Sequence, residues 1–400
     1  MKKGWETRTL GNVLVRTETV DPARQPETEF QYIDVSSVSN ISMRIEQTKL
    51  LLGKDAPSRA RKRVQANDVL FATIRPTLQR IAIVPDYLDN SVCSTGFFVL
   101  RAGAEIHHRF LFYYLQAGSF ASQMETLQRG ASYPAVTDAD VRAQTIPIPP
   151  LPEQQRIVGI LDEAFAGLAT AEANAARNLQ NAREIFDSHL HAVFSQRGEG
   201  WVERRLDEVT ADDCSLSYGI VQPGDEVAGG IPLIRPTDMV DGEITLSGLK
   251  RIDPGAADGY ARTKIQGGEL LVCVRGTTGL VSIASTEVAG GNVTRGIVPV
   301  RFRGSCISHD FGFFMLRSDA VQRQIRQKTY GAALQQINIS DLRKIMISFP
   351  SSDKTQTELA GFLQATREDS GKLLNIYTQK QRKLAELKKS LLSAAFNGDL

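Results

Sequence analysis

The sequence predicts an α+β protein in which two similar, mixed β-rich domains alternate with two long helices. Three observations predict it. The second half of the chain repeats the first, short β-type runs fill the start of each half, and a long helical pattern closes each half. We expect the long helices to pair antiparallel as a coiled coil, with an approximate two-fold axis relating the halves. The predicted divisions are residues 1–150, 151–198, 199–350 and 351–400.

The repeat has a spacing of about 200 residues. Gly4-Trp5-Glu6 returns as Gly200-Trp201-Val202-Glu203, which accounts for both tryptophans of the chain. Gly96–Arg101 aligns with Gly296–Arg301, and Phe194 aligns with Phe396. A tandem repeat of this kind suits a target with two similar halves, or two copies of one partner.

The first β-rich region contains runs of β-branched and aromatic residues between turn residues. The predicted strands are Tyr32–Val35, Asp68–Ala72, Ile81–Val84 and Gly96–Leu100. Large apolar residues at helical spacing predict one helix from Phe110 to Arg129. The proline-rich Ile146–Pro152 is expected to be a stiff extended connector outside any helix or sheet.

The segment from Glu153 to about Ser195 lacks proline and carries apolar residues at alternating spacings of four and three, which predicts a coiled-coil helix. The predicted seam is Ile157, Leu161, Ala164, Leu168, Ala171, Ala175, Asn178, Ala182, Ile185, His189 and Ala192. About 40 residues of helix would form a rod of roughly 60 Å.

The second half follows the same order. Its predicted strands are Ile231–Ile234, Glu269–Val274, Val281–Ala284, Gly296–Val300 and Ile345–Pro350, with a helix over Phe311–Lys328. The second seam is Leu359, Leu363, Thr366, Ser370, Leu373, Tyr377, Lys380, Leu384, Leu387, Leu391 and Ala394. One partner within the chain is enough to bury each seam; pairing with another chain is the alternative.

The composition is that of a globular chain, with 42% hydrophobic and 23% charged residues. No apolar run reaches the ~20 residues that a membrane-spanning helix needs. The two lysines at the start precede no apolar segment of a secretory signal, so a cytoplasmic location is expected. The cysteines at 93, 214, 273 and 306 are scattered, as expected for reduced core residues.

The net charge of +2 excludes a chain that coats DNA by charge alone. Two local clusters are basic, and they fit either phosphate contacts or solvated faces. They are Lys49, Lys54, Arg59, Arg61, Lys62 and Arg63, and Arg317, Arg323, Arg326 and Lys328.

Catalytic signatures are missing from the sequence. It contains neither a phosphate-binding G-x-x-x-x-G-K-[ST] loop nor a GxGxxG fingerprint, and no amino-methyltransferase or metal-dependent nuclease motif is visible. The five histidines form no ligand cluster, and we predict no metal site. The chain is therefore expected to have no catalytic residues of its own.

One segment carries a resemblance. Pro149-Pro150-Leu151-Pro152-Glu153-Gln154-Gln155-Arg156-Ile157-Val158 opens the first long helix, and a degenerate copy begins at Pro350. With the tryptophan-containing starts, it resembles the specificity subunit of type I restriction-modification enzymes, over the whole chain from Gly4-Trp5 to Phe396–Leu400. The second copy departs from the motif, because Ser351-Ser352-Asp353-Lys354-Thr355-Gln356 replaces its Leu-Pro-Glu-Gln-Gln core.

The resemblance implies a sequence-specific DNA-binding subunit that reads a split target with two recognition domains, the helices fixing the gap between the halves. It also implies that the helices dock two methyltransferase subunits, which bind S-adenosylmethionine. Motor-nuclease subunits that use ATP and magnesium would join the fuller complex, and this chain itself would bind no cofactor. The docking residues expected are Arg156, Ile157, Leu161, Leu168, Leu363, Leu373, Leu384 and Leu391.

Base readout is expected in loops between strands, at matching places in both repeats. The candidates are Arg75, Thr77, Arg80, Ser132 and Tyr133 in the first half, and Arg275, Thr277, Thr278, Gln335 and Gln336 in the second. The sequence alignment matches Arg75 with Arg275, and Ser132-Tyr133 with Gln335-Gln336. Arginine can bond guanine through two atoms, and glutamine can bond adenine in the same way. Each candidate can equally be an ordinary surface residue.

Two other functions fit parts of the pattern. A coiled-coil adaptor that does not act on DNA would present two similar domains to protein partners, and a duplex-binding test would show no steep salt dependence. A fused modification enzyme with a diverged active site would transfer methyl groups by itself.

Overall fold

The computed structural model describes residues 4–303 and 306–400. The chain forms two compact units. The first contains the chain up to Ala176 and again from Thr378, and the second contains Arg177–Tyr377. Two long helices, Leu151–Ser195 and Asp353–Asn397, each contribute to both units.

The first unit begins with short strands and helices that alternate along the chain. Its strands are β1 (Glu6–Thr9), β2 (Leu14–Val15), β3 (Glu29–Ile33), β4 (Lys49–Leu52), β5 (Ala60–Arg63), β6 (Val69–Ala72), β7 (Ile81–Ile83), β8 (Val92–Ser94), β9 (Phe97–Ala102) and β10 (Thr145–Ile148). Its helices are α1 (Leu10–Val13), α2 (His108–Leu115), α3 (Gly118–Leu127), α4 (Asp138–Arg142) and the first part of α5 (Leu151–Ser195).

Three sheets organise these strands, in the orders β2-β9-β6-β7, β4-β3-β8-β5 and β1-β10. All four residues of β6 are buried, so this strand is the centre of the unit. Its register is antiparallel to β9, with Val69 opposite Leu100. Such a continuously apolar run is typical of a strand covered on both faces.

The second unit repeats this order after the turn at Gly200. Its strands are β11 (Trp201–Arg205), β12 (Ile231–Ile234), β13 (Glu243–Ile244), β14 (Lys250–Ile252), β15 (Leu270–Cys273), β16 (Val281–Ala284), β17 (Asn292–Val293), β18 (Ile297–Val300) and β19 (Met346–Pro350). Its helices are α6 (Leu206–Val209), α7 (His309–Arg317), α8 (Asp319–Lys328), α9 (Ile339–Arg343) and the first part of α10 (Asp353–Asn397), together with the last part of α5.

The sheets of the second unit correspond to those of the first. The orders are β13-β16-β15-β18, β14-β12-β17 and β11-β19. Leu270 of β15 lies opposite Val300 of β18, as Val69 lies opposite Leu100. The edges differ, because β13 pairs parallel to β16 while the first unit has β2 on the other side of its sheet. The internal repeat predicted from the sequence is confirmed at the level of strand order.

Inside the first unit, the start of α5 packs against the end of α10. Ile157 and Leu161 share a buried core with Leu392 and Phe396. The Phe396 ring also meets Phe110 edge-on, with ring centroids 5.1 Å apart. The helices therefore run antiparallel here, and burial of each large apolar side chain contributes about 1.5–3 kcal/mol.

Inside the second unit, the roles of the two helices are exchanged. Leu190 and Phe194, near the end of α5, share a core with Leu363 near the start of α10. Phe194 also contacts Trp201, with ring centroids 5.9 Å apart. The pairing is again antiparallel. Trp201 packs against the core of the second unit, whereas Trp5 belongs to the core of the first unit.

An ion-pair cluster also attaches α10 to the second unit. Arg367 of α10 donates to Asp241 at 2.8 Å, and Arg317 of α7 donates two hydrogen bonds to the same carboxylate. Both guanidinium groups lie over the ring of Phe313. Burial raises the pKa of Asp241, but the hydrogen bonds and charges of the two arginines outweigh it and hold this pKa below its ordinary value.

Both long helices are anchored by a glutamine in their first turn. The side chain of Gln154 accepts from the backbone N–H of His107 at 2.8 Å and donates to the carbonyls of Glu105 and Pro149. Gln356 accepts from the backbone N–H of Ser308 at 2.8 Å and likewise donates to two carbonyls. Both glutamines are fully buried. The second long helix therefore keeps the glutamine anchor, although the Leu-Pro-Glu-Gln-Gln core around it is replaced.

Some expectations were wrong. The helix expected over Phe110–Arg129 is two helices, because Ala117 is extended with φ −65° and ψ 142°. Ser318 interrupts the second copy in the same way, with φ −59° and ψ 147°. The proline-rich connector is also partly β10, in which Pro147 pairs with Thr7. Proline is tolerated there because β10 belongs to a two-stranded sheet and has a free edge.

The predicted seam residues are buried or half-buried through the first half of each helix, and exposed ones occur toward the other end. At the end of α5, Ile185 is 39% exposed while Leu190 is buried. On α10, Lys380 and Leu387 are exposed instead of buried. A strict alternation of four and three drifts around a straight helix with 3.6 residues per turn, so the predicted seam leaves the buried face.

Candidate nucleic-acid interface

Two loops of the first unit meet at one surface, which we call the first loop pair: residues 73–80 and residues 129–136. The backbone N–H of Val136 donates to the carbonyl of Thr73 at 2.9 Å, and that of Arg75 donates to Pro134 at 2.7 Å. These bonds hold the loop that follows β6 against the loop that follows α3. Residues that are distant in sequence therefore form one continuous surface.

The second unit has the same arrangement, the second loop pair: residues 274–280 and residues 330–337. The backbone N–H of Ile337 donates to the carbonyl of Val274 at 3.0 Å, and that of Gly276 donates to Gln335 at 2.8 Å. The same backbone bonds thus occur in both units, displaced by a constant number of residues.

A glycine with positive φ begins the turn in each loop pair. Gly130 has φ +100° and Gly331 has φ +102°. A Cβ atom at Gly331 would lie 2.3 Å from the carbonyl oxygen of Leu334, and one at Gly130 would lie 3.0 Å from that of Tyr133. Only glycine fits such a tight turn without strain, so these residues set the shape of the surface.

The backbone bonds correct the alignment made from the sequence. Arg75 corresponds to Gly276, not to Arg275, because each donates its N–H across the loop pair. Likewise Gln335 corresponds to Pro134, not to Ser132. The mismatch at Arg75 arises because the loop between β15 and β16 covers residues 274–280, one residue fewer than residues 73–80 between β6 and β7.

The first loop pair presents most of its predicted side chains to solvent. Arg75, Thr77, Ser132 and Tyr133 are exposed, and the Arg75 guanidinium lies over the Tyr133 ring at 5.3 Å from its centroid. Arg80 is different. It is half-buried and its guanidinium donates to the carbonyl of Val38, so its side chain holds a neighbouring loop.

The second loop pair has a different set of polar groups. Thr277 and Gln335 are exposed. The Thr278 hydroxyl donates to the carbonyl of Gln335 at 3.2 Å, which ties the two loops together. Arg275 and Gln336 are half-buried and form an antiparallel bridge through their backbones. Gln335 therefore has the freest amide of the surface.

A buried ion pair lies at the start of β6 and another at the start of β15, and sequence reasoning missed both. Asp68 precedes β6 and accepts two hydrogen bonds from Arg101, at 2.9 and 2.8 Å. Glu269 precedes β15 and accepts from Arg301 at 2.7 Å. In the turn before its strand, Asp68 also accepts from one backbone N–H group and Glu269 accepts from two. An acidic residue directly before a fully apolar strand is the signal that could have revealed them.

The predicted docking residues differ in their exposure. Ile157, Leu161, Leu168 and Leu363 are buried in the cores of their own units, so their side chains offer no surface to another subunit. Leu373, Leu384 and Leu391 are half-buried, and Arg156 is exposed. The heptad pattern selected the inward face of each helix. The large apolar residues that the helices do expose are Leu151, Ile185, Phe362, Ile376 and Leu387.

The basic clusters are largely neutralised by neighbours. Arg61, Lys62 and Arg63 pair with Asp21, Asp138 and Glu18, respectively. Arg323 and Arg326 both pair with Asp319. Such charges give little net attraction to phosphate, so these clusters are poor candidates for the DNA surface.

Within residues 4–303 and 306–400, no three His, Cys, Asp or Glu side chains are grouped to hold a metal ion. In the same residues, no helix combines the length and apolarity that crossing a membrane requires.

Comparison with known proteins decides the family. The model of the type I restriction modification DNA specificity domain matches residues 2–177 and again residues 198–376. The chain belongs to this family. The specificity subunit of the type I restriction enzyme EcoBI from Escherichia coli is 23% identical, over 79% of this chain and 70% of that protein.

Two solved structures share the fold over essentially the whole length. The HsdS subunit from Thermoanaerobacter tengcongensis has 29% sequence identity and a TM-score of 0.71, covering 100% of this chain and 98% of that one. A chain from a study of complex assembly and conformational transition of the type I restriction-modification system has 30% identity and a TM-score of 0.82, with 100% and 99% covered.

The predicted family, fold and function are thereby confirmed. The chain is a DNA specificity subunit of the type I restriction-modification family, and its role is target recognition and not catalysis. The domain occurs twice, in agreement with the two units, and the adaptor alternative is not favoured. The individual DNA-contacting residues, the domain boundaries and the subunit-docking residues stay predictions.

Proposed function

We propose that the chain reads a split duplex DNA target, with the first loop pair recognising one half and the second loop pair recognising the other. The observation that supports this most directly is the repeated pair of backbone bonds that joins two loops in each unit. Both surfaces carry exposed side chains that can bond base edges, such as Arg75 and Gln335. Residues 1–150 and 199–350 are the recognition domains in this proposal.

Substitution of one candidate in each loop pair tests the proposal. Arg75→Ala should weaken or relax recognition of one half-site only, and Gln335→Ala should do the same for the other half-site. Each loss should be about 5- to 150-fold, the range for one two-atom contact with a base. Binding is measured with duplexes in which either half is scrambled, at fixed salt because phosphate contacts make affinity salt-dependent. Equal losses at both halves would contradict the assignment.

We further propose that the helices dock two methyltransferase subunits that carry S-adenosylmethionine, with ATP- and magnesium-dependent motor-nuclease subunits joining them. The proposal places the chain in the cytoplasm, where the DNA protected by such a system lies. The docking surface consists of exposed apolar residues on the helices, of which Ile376 is 56% exposed and Leu387 is 47% exposed. A solvent-exposed apolar side chain on a long helix is suited to packing against a partner helix.

Charge substitution tests this docking surface. Ile376→Asp and Leu387→Asp should each reduce co-purification with the methyltransferase subunit by at least about tenfold, since burying an unpaired carboxylate is costly. Gln379→Asp is the matched control, because Gln379 is also exposed on α10 and already polar. All three variants should melt like the unmodified chain. Full retention of the partner by both apolar variants would exclude these residues from the interface.

A further inference from the structure

The first loop pair contains an arginine in an unusual backbone conformation. Arg75 has φ 49° and ψ 58°, in the left-handed region, and it directly precedes Pro76. A residue before proline favours the extended region, and a non-glycine residue with positive φ is uncommon. The bond from its N–H to the Pro134 carbonyl, at 2.7 Å, holds it there. Strain of this kind persists where the surrounding structure fixes it, and it is frequent at functional sites.

The side chain of Arg75 is also held, but not neutralised. Its guanidinium lies 5.3 Å from the centroid of the Tyr133 ring, within the range of a cation–π contact. Among the residues that the structure describes, no carboxylate forms an ion pair with Arg75, whereas Arg129 of the same loop pair is paired with Asp140. Tyr133 is 73% exposed, so this aromatic ring contributes little to the core.

The second loop pair has no such arginine. Gly276 occupies the place of Arg75, and Leu334 occupies the place of Tyr133. The side-chain amide of Gln335 is exposed there. The two units therefore share a backbone frame but present different chemistry: a planar guanidinium in the first and a side-chain amide in the second.

We infer that Arg75 reads a guanine in the half-site recognised by the first unit, and that Tyr133 is a positioning residue that holds its guanidinium plane. The inference rests on the proposed function. Arginine donates two parallel hydrogen bonds to O6 and N7 of guanine in the major groove, a geometry that requires an oriented plane. Stacking on Tyr133 restricts that plane before DNA binds, so less side-chain freedom is lost on binding.

A selection from randomised DNA tests the inference. The full chain, assembled with methyltransferase subunits, selects from a duplex library with two randomised blocks, and the enriched positions are sequenced. We expect one strongly preferred guanine in one half, reduced about 5- to 150-fold by Arg75→Ala. Arg75→Lys should also lose most of the preference, because lysine keeps the charge but lacks the planar fork.

Three further variants distinguish a positioning role of Tyr133 from direct contact with DNA. Tyr133→Ala should reduce the preference for that guanine by about 2- to 5-fold, the worth of an exposed cation–π contact. Tyr133→Phe keeps the ring and should restore the full preference. In the Arg75→Ala background, Tyr133→Ala should have no further effect. Replacement of the guanine by 7-deazaguanine, which lacks N7, should weaken binding of the unmodified chain and not of the Arg75→Ala variant.

The outcomes are distinguishable. If the unmodified complex enriches no split sequence, the proposed function fails and the inference fails with it. If it enriches a split sequence that Arg75→Ala leaves unchanged, only the inference on Arg75 fails. An additional loss from Tyr133→Ala in the Arg75→Ala background would show that Tyr133 touches DNA directly, which overturns its positioning role. Arg75 and Tyr133 are exposed, so thermal melting should be unchanged in all variants.

Discussion

The buried glutamine at the start of each long helix gives a sharp stability prediction. Gln356→Met keeps a side chain of similar length and removes all three polar contacts. The backbone N–H of Ser308 then loses its partner, as do the carbonyls of Cys306 and Pro350. A buried donor without a partner costs about 1–3 kcal/mol, and a carbonyl costs less because it has a second lone pair. We expect the second unit to lose about 2–4 kcal/mol of stability.

The two tryptophans make the effect measurable in each unit separately. Trp201 packs in the second unit against Phe194 and Phe311, and Trp5 is buried in the first unit. Replacing one tryptophan by phenylalanine leaves the other as the only indole reporter. With a urea dependence of about 1–3 kcal/mol per molar, Gln356→Met should lower the midpoint seen by Trp201 by roughly 1 M.

The matched control is Gln154→Met in the first unit, where the same three kinds of contact are lost. It should lower the midpoint seen by Trp5 more than that seen by Trp201. The reasoning would be refuted if each substitution shifted both reporters equally, because the anchor would then not act on its own unit. It would also be refuted if neither substitution changed a midpoint.

Two further predictions concern the loop-pair glycines and the ion pairs of Asp241. Gly331→Ala should relax recognition of one half-site and leave the other intact, since a Cβ does not fit the positive-φ turn. Gly130→Ala should affect the opposite half-site. Binding to duplexes with either half scrambled measures both effects. Asp241→Asn should lower stability at pH 7 by about 1 kcal/mol, a value reduced for solvent screening. Arg317 and Arg367 lower the pKa of Asp241. The stabilisation by their ion pairs is therefore present above the ordinary carboxyl pKa of about 4, and it is lost as the pH falls through the lowered pKa. The difference in urea midpoint should therefore disappear in acid, and a difference that persisted there would argue against the ion pairs as its cause.

Local patterns in the sequence predicted much of the fold. The strand expected over Asp68–Ala72 is β6, and the long helical pattern after Pro150 is α5, because apolar runs and helical periodicity depend on neighbours in sequence. Long-range hydrogen bonds were not predictable in this way. The anchor at Gln356 lay inside a segment that had lost the motif, and only the contacts across the fold reveal it.

The loop surfaces show the same limit more clearly. Residue similarity aligned Arg75 with Arg275, whereas backbone hydrogen bonds align Arg75 with Gly276. An alignment that pairs identical residues does not detect a one-residue difference in loop length. The docking residues were also chosen from a local pattern. A heptad pattern identifies the buried face of a helix, as at Leu161, and gives no information on the exposed face that a partner subunit would contact.

The two loop pairs share backbone hydrogen bonds but differ in their exposed side chains, and this bears on how DNA recognition can change. Gln154 and Gln356 make equivalent contacts in the two units, and these contacts lie outside the loop pairs. Arg75 and Gly276, in contrast, occupy equivalent backbone positions and share no side-chain chemistry. Because the bonds that join each loop pair are made by backbone atoms, side chains on the exposed surface can differ while the frame stays the same. A specificity subunit built in this way can acquire a new target at one half-site through its loops, at little cost to folding and with no change at the other half.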